Sequence, residues 1–300
     1  PSQPHAILDK EQRVIGALAG QPANAQNWDQ VCEEVNGVME TMSRDAYNQD
    51  SITPENSDHR RGKFLALSNG VLFGGGQKTP ANLRQTLKNR TILDHALSNV
   101  SVKRIMGFQS GSFATFAPKA FKEIQTQTNL LFSHDKTLRR NTSTSVYPAT
   151  TFNCGPRTVC LEHVDHGNAP NSMCAITAFG RYDPKKGGHL ILVDLKLAIE
   201  VPPNSTVLIL SGVIAHANTP VRSGEVRRSL TQFCAGGLLR FVAHGFRTVT
   251  SIKEEFGEKA GQAIVRAIDG EPGERWKRML GLFSKFSELE MDRDKTFRGL

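Results

Sequence analysis

The sequence predicts an α+β protein in which a double-stranded β-helix (jelly-roll) core is buttressed by N- and C-terminal helices. Two observations predict it. Residues 147–243 are a succession of short runs rich in Val, Ile, Leu, Thr and Phe, punctuated by Gly, Pro, Asn and Asp, the pattern of a two-sheet antiparallel sandwich. The flanking segments instead space their apolar residues by three and four, the period of helices lying on a core. No internal repeat is evident, so residues 1–300 are expected to form one domain: 1–140 mainly helical, 141–248 the jelly roll, 249–300 the C-terminal helices.

Residues 10–43 read as helix, because Trp28, Val31, Val35, Val38, Met39 and Met42 form one apolar stripe. Residues 46–61 are polar, rich in Asp, Asn and Ser and interrupted by Pro54, and read as loop. Residues 64–73 read as a strand entering the turn Gly74-Gly75-Gly76. Thr79-Pro80 supplies an N-cap and a first-turn proline for a helix through about residue 97. Residues 113–132 read as another, with Phe116, Phe121, Ile124 and Leu131 on its buried side. Strands are expected near 149–153, 157–163, 172–180, 188–195, 197–201, 205–216 and 227–243. Helix returns at 251–268 and 272–289, where Trp276, Met279, Leu280, Phe283 and Phe286 are expected to pack on the roll.

Composition narrows the class. With 38% hydrophobic and 22% charged residues, a chain of 300 residues can bury a sizeable core and is not a disordered one. Cys32, Cys154, Cys160, Cys174 and Cys234 are odd in number, scattered and free of CxxC or zinc spacing, which speaks against a disulfide scaffold and for reduced thiols in cytosol or nucleus. No apolar run approaches the roughly 18–20 residues of a membrane-spanning helix, so no membrane partner is expected, and the opening PSQPHAILDKEQR does not read as a signal peptide. The net charge of +8 favours a polyanionic partner.

The chemistry-bearing residues cluster in the β region. In a strand, His163 and Asp165 of His163-Val164-Asp165 share a face, about 6.6–7 Å apart along the backbone, so one ion can be chelated between them. An HxD triplet alone is a short pattern that chance supplies readily. His216, ending the apolar run 206–214, and Arg227, eleven residues later, strengthen it. Two imidazoles and one carboxylate are the facial set that holds Fe(II) with open positions for a co-substrate and O2. An arginine nearby can grip the far carboxylate of a dicarboxylate such as 2-oxoglutarate through a two-toothed hydrogen bond. Arg228 is the rival for that role, because alternation alone does not say which arginine faces inward.

The segments TFNCGPRTVCLEHVDHGN and CAITAFGRYDPKKGGHLILVDLKLAIEVPPNSTVLILSGVIAHANTPVRSGEVRRSLTQFCAGGLLRF resemble the fungal members of the TET/JBP group of Fe(II)/2-oxoglutarate dioxygenases. The likeness runs over residues 64–246 and is dense in the β core, and the HANTPV stretch followed by RRSL is similar to animal TET enzymes. The resemblance implies an enzyme that oxidises methyl groups on bases of duplex DNA: 5-methylcytosine above all, to 5-hydroxymethylcytosine and further, with removal of methyl from 6-methyladenine implicated for some members. It further implies Fe(II), 2-oxoglutarate and O2 as cofactors, ascorbate as reductant and a nuclear location; a monomer is expected.

Carried over by position, His163, Asp165 and His216 match the iron ligands, and Arg227, favoured over Arg228, matches the arginine on the distal carboxylate, with Ser229 beside it. Asn168 matches the asparagine of HxDxxN that contacts the target base. Asn153 stands ten residues before His163, as a similar asparagine does in the related AlkB-type repair enzymes, where it helps hold 2-oxoglutarate. Phe233, a stacking candidate and equally a core residue, and Arg157, placed toward co-substrate or DNA, complete the candidates. The chain departs from animal TET enzymes at Ala235, where they have a base-contacting histidine, at Phe233, where they have tyrosine, and in lacking their cysteine-rich zinc region.

Other motifs weigh less. Arg60-Arg61-Lys63, Lys103-Arg104, Arg139-Arg140, Lys185-Lys186 and Arg275-Lys277-Arg278 could meet phosphates, though each alone reads first as solvated surface. Gly74-Gly75-Gly76-Gln77 lacks the GK[ST] ending of a phosphate loop and is expected to be a turn near the active-site mouth. His189 reads as structural. The readings left open are a DNA-base dioxygenase, a 2-oxoglutarate oxygenase of a protein or small-molecule substrate, and a jelly-roll binding module without activity.

Overall fold

The chain opens with a hairpin, β1 (His5–Leu8) and β2 (Val14–Gly20), where helix was expected. The computed structural model describes residues 4–271 and 273–298, so the first three residues of the opening segment and the expected helix start at residue 272 lie outside it. The short apolar run of Val14–Gly20 is ambiguous between helix and strand, and its second partner is β11 (Thr206–Ile209), far along the chain. That non-local pairing decides the outcome. Helix α1 (Trp28–Asn48) begins only at the tryptophan and buries the stripe Trp28, Val31, Val35, Met39 and Met42.

The polar segment after it holds α2 (Pro54–Ser57) and a two-stranded hairpin, β3 (Asp58–His59) and β4 (Gly62–Lys63), rather than loop alone. Strand β5 (Leu65–Leu72) follows as expected. Thr79-Pro80 does not cap a helix: β6 (Ala81–Asn82) pairs with the end of β5, and α3 (Leu87–Ser98) starts at Thr86, whose hydroxyl accepts from the Asn89 N–H at 3.1 Å. The helix expected over 113–132 is two, α4 (Val100–Phe116) and α5 (Pro118–His134), with Pro118 opening the second.

The β region holds β7 (Ala149–Gly155), β8 (Cys174–Arg181), β9 (Leu190–Leu192), β10 (Leu197–Ile199), β11, β12 (His216–Asn218) and β13 (Val226–Phe233). Three expectations need correcting. Residues 157–163 pair only at Arg157 and His163, through isolated bridges to Arg227 and His216. The run 205–216 breaks after Ile209, because the chain must leave one sheet and enter the other to bring His216 opposite His163. The strand expected to reach residue 243 ends at Phe233. Gly236-Gly237 then opens α6 (Gly236–Ala243), which buries Leu238, Phe241 and Val242 at helical spacing.

Eight strands form one antiparallel sheet in the order β1-β2-β11-β8-β13-β7-β5-β6, and three form a second in the order β10-β9-β12. Together they are a jelly roll. Helices α1, α3 and α4 cover one face of the large sheet, packing Val35, Met39, Leu93, Ile105 and Met106 on Leu67, Phe152, Phe179 and Leu230. Each such side chain, fully removed from water, contributes about 1.5–3 kcal/mol before entropy is subtracted. Gln109, with no exposed surface, is satisfied inside this layer by donating to Thr177 Oγ1 and the Leu230 carbonyl, both at 2.9 Å. Because strand side chains alternate, covering this face leaves the other face of β7 and β13 turned toward the small sheet.

The tail is α7 (Val249–Phe256), α8 (Glu258–Asp269), α9 (Glu274–Leu280) and α10 (Leu289–Phe297), the first pair split at Gly257. Phe283 is buried as expected, but Trp276 and Phe286 are 39% and 55% exposed, so the tail packs on the roll through fewer aromatics than the spacing suggested. No helix among the described residues is long and apolar enough to cross a membrane.

Candidate metal centre and co-substrate pocket

His163 and His216 meet across a two-way backbone bridge. The His163 N–H donates to the His216 carbonyl at 3.0 Å and the His216 N–H donates back at 2.9 Å. The pairing adds His163 to the edge of the small sheet and sets the two rings 4.3 Å apart, centroid to centroid. Asp165 follows two residues on, its own N–H held by the Ser211 carbonyl at 2.9 Å. One ligand atom from each of His163, Asp165 and His216 lies within 4.8 Å of the others. The two Nε2 atoms stand 3.8 and 3.9 Å from the two oxygens of the one carboxylate.

The chain around these residues fixes which atoms are free. His163 Nδ1 lies 2.7 Å from the Leu161 carbonyl and His216 Nδ1 lies 2.9 Å from the Ile214 carbonyl. A carbonyl only accepts, so each Nδ1 carries the hydrogen and each Nε2 presents a lone pair. Burial pushes His163 below the ordinary imidazole value, opposed by the Leu161 carbonyl and reinforced by His216, which favours the neutral, metal-binding form. Asn168 Nδ2 donates to Ser211 Oγ at 2.9 Å and stands 3.4 Å from Asp165 Oδ2, so the asparagine orients the carboxylate. Cys160 and Cys174 line the same pocket, but burial drives both thiols up, which disfavours thiolate ligation.

Facing the triad is the inner side of the large sheet: Asn153 on β7 and Arg227, Ser229 and Thr231 on β13. Asn153 pairs with Ser229 in register, and its Nδ2 donates to Ser229 Oγ at 3.0 Å. Arg227 is 5% exposed, yet its Nε has no hydrogen-bond partner, and neither does Asn153 Oδ1. Two buried polar atoms left open in one pocket are what a polar ligand would satisfy. Arg228 points the other way, donating to the Cys154 carbonyl at 2.9 Å and to Asn36 Oδ1 at 2.8 Å under α1. Gly188 lets the small sheet come close to Arg227: a Cβ there would stand 2.8 Å from the Tyr182 ring and 3.2 Å from Arg227 Cδ, at a φ of +72°.

Not every candidate joins the pocket. Phe233 continues the inward face of β13 but packs, half-buried, against the apolar core. Arg157 is exposed beside Arg227, joined to it only by a backbone bridge. Gly74 and Gly76 line a separate cleft with Lys78, Arg240, Arg247 and the start of α7, not the mouth of this site. His189 is structural, its Nδ1 3.1 Å from Thr219 Oγ1. Sequence reasoning passed over Ser211 and Asn218, and took Arg61, which lines the pocket, only as part of a basic cluster. Asn218, two residues after His216, accepts from the Cys160 N–H at 2.8 Å and donates to the Thr158 carbonyl at 3.1 Å, tying down the segment that carries His163. An alternation count from His216 could have found it.

No protein-family model and no curated protein matches the sequence. Solved structures do match. The structure of NgTET1 in complex with 5mC DNA aligns at a TM-score of 0.52 and 15% identity, covering 78% of this chain and 77% of that one. The fold is shared with NgTET1. An oxidoreductase of the 2OG-Fe(II) oxygenase family from Burkholderia pseudomallei matches at a TM-score of 0.32 and 14% identity, over 59% of this chain and 71% of that one. A prolyl-4-hydroxylase from Pseudomonas putida matches at 0.28 and 14%, over 67% and 87%.

Proposed function

We propose that the protein is an Fe(II)- and 2-oxoglutarate-dependent dioxygenase, a single nuclear catalytic domain acting as a monomer on methylated bases of duplex DNA. Its main reaction is oxidation of 5-methylcytosine to 5-hydroxymethylcytosine and beyond, with removal of methyl from 6-methyladenine as a second activity. One observation carries the reading: three ligand atoms within 4.8 Å of one another face a wall where the buried Arg227 Nε–H lacks a partner. The donor set, two imidazoles and a carboxylate, fits Fe(II). The shared fold with a protein solved on 5mC DNA and the net charge of +8 support a DNA substrate.

In this reading His163, Asp165 and His216 hold the metal, Arg227 binds the distal carboxylate of 2-oxoglutarate, and Ser229 and Asn153 hold the co-substrate beside it. Bound Fe(II), 2-oxoglutarate and O2 supply the oxidation of a C–H bond, with ascorbate keeping the iron reduced. The chain supplies position. Asn168 and Ser211 fix the Asp165 carboxylate, and the Leu161 and Ile214 carbonyls fix the two rings. A methyl group inside a duplex cannot reach a pocket between two sheets, so the base must be extruded at about a few kcal/mol. Asn168 uses its Nδ2 on Ser211, which leaves Oδ1 to accept from the exocyclic amine of the base. Phe233 and Arg157 are the remaining candidates for base and backbone contact.

The test is mass spectrometry of nucleosides after incubating 5-methylcytosine and 6-methyladenine duplexes with the protein, Fe(II), ascorbate and 2-oxoglutarate. The expected result is 5-hydroxymethylcytosine formed in step with succinate, and none with His163→Ala. Equal succinate release with methylated and unmethylated duplexes, and no altered base, would move the activity to another substrate class.

A further inference from the structure

We infer that Arg60 exchanges the Asp165 carboxylate for a phosphate of the DNA backbone when metal and co-substrate fill the site; the inference rests on the function proposed above. Arg60 and Arg61 are the two tip residues of the β3–β4 hairpin, whose register pairs His59 with Gly62. The hairpin is docked against the segment carrying the metal ligands. The Leu161 N–H donates to the Arg61 carbonyl at 2.7 Å, and Gly62 lies so close to the Val159 carbonyl that a Cβ would stand 2.2 Å from its oxygen, at a φ of +152°. Two guanidinium groups are therefore held beside the triad by backbone contacts rather than by chance exposure.

Arg60 is bound there only loosely. Its Nη2 stands 3.8 Å from Asp165 Oδ1 and its Nη1 3.5 Å from the Val164 carbonyl, with the side chain 65% exposed against 19% for Asp165. An ion pair so exposed is weak, so giving it up costs little. Charge supplies the direction. A divalent ion, Asp165, Arg227 and a dianionic co-substrate balance to neutrality, which leaves Arg60 and Arg61 without a counter-ion at the mouth of the site. A metal ion engages the carboxylate that Arg60 had faced, and the freed guanidinium suits a phosphate oxygen. The neighbouring Glu162 is exposed as well, so the hairpin tip rather than the loop is the attractive element.

Two arms test the exchange on the full chain. In the first, binding of a labelled 5-methylcytosine duplex to protein loaded with Mn(II) and 2-oxoglutarate is followed against salt. Arg60→Gln should lower the slope of log affinity on log salt by about 1, and Arg60→Lys should keep it. In the second, Mn(II) is titrated into the DNA-free protein, where Arg60→Gln should bind the ion about two- to fivefold more tightly, since the competing cation is gone. An unchanged slope overturns the inference, since Arg60 would then never reach a phosphate, as does a lowered slope with unchanged Mn(II) affinity, which would mean that Arg60 does not compete with the metal at Asp165. The nucleoside assay separates this failure from that of the function itself: a wild type that oxidises the duplex while Arg60→Gln keeps its slope sinks the exchange alone, and a wild type that neither binds nor oxidises it sinks both.

Discussion

Arg227 and Arg228 are neighbours in β13 and end on opposite faces of the large sheet. Arg227 lines the pocket with its Nε unpartnered, while Arg228 is consumed by the Cys154 carbonyl and Asn36. Strand alternation turned one of them into the pocket and the other under α1; covering one face with α1 decided which. Substituting each by Met should separate the roles. Arg227→Met should weaken 2-oxoglutarate binding to the Mn(II)-loaded protein by tenfold or more on the order of a lost charged hydrogen-bond pair, with the urea midpoint little changed. Arg228→Met should lower stability by about 1.5–3 kcal/mol, the worth of hydrogen bonds to a charged group. Co-substrate affinity lost in the second variant and kept in the first would reverse the assignment.

Asn168 gives a second prediction, because it touches the carboxylate of Asp165, one of the three candidate ligands. Its Nδ2 lies against Ser211 Oγ and Asp165 Oδ2. Removing such an orienting partner typically lowers metal affinity about 10–100-fold. Asn168→Ala should show that loss in a Mn(II) titration, and Ser211→Ala a smaller one. If Asn168→Ala changes duplex binding while Mn(II) affinity stays at the wild-type value, its role belongs to the substrate alone.

How much of this was legible in the residues follows from how local each feature is. The clustering of His163, Asp165 and His216 was readable because histidine and aspartate are few in the β region, whereas Ser229, Asn153 and the choice of Arg227 over Arg228 rested on the family resemblance. The β7, β8 and β13 strands were readable because alternation is local. The β1–β2 hairpin was not: Val14–Gly20 takes strand form by pairing with β11, a contact between distant parts of the chain. The helix Gly236–Ala243 was hidden at the end of a long apolar run in which Leu238, Phe241 and Val242 carried the helical period. Ser211 could not be singled out because its role is a contact with Asn168, 43 residues away along the chain. The hairpin tip was seen only as a basic cluster; its approach to Asp165 needs the Leu161–Arg61 backbone bond, which leaves no mark in sequence.

The tail yields a prediction about pH. Asp269 ends α8 and accepts from Arg240 Nη2 of α6 at 2.6 Å and from Nε2 of His244, the residue that caps α6, at 2.9 Å, with Arg275 Nη1 of α9 at 3.4 Å. Burial pushes its carboxyl up, but the hydrogen bonds from Arg240 and His244 outweigh this and hold it below the ordinary carboxylate value. A depressed carboxyl is ionised in the folded chain at pH values where the unfolded chain has begun to bind protons. Its stabilisation is therefore complete well above the unfolded value of about 3.9 and is lost as pH falls through that value toward the folded one. Asp269→Asn should lower the urea midpoint near neutral pH, and the gap to the wild type should narrow between about pH 5 and about pH 3. A gap that stays constant across that range would show that the substitution disturbs local packing and not the charge of the carboxylate.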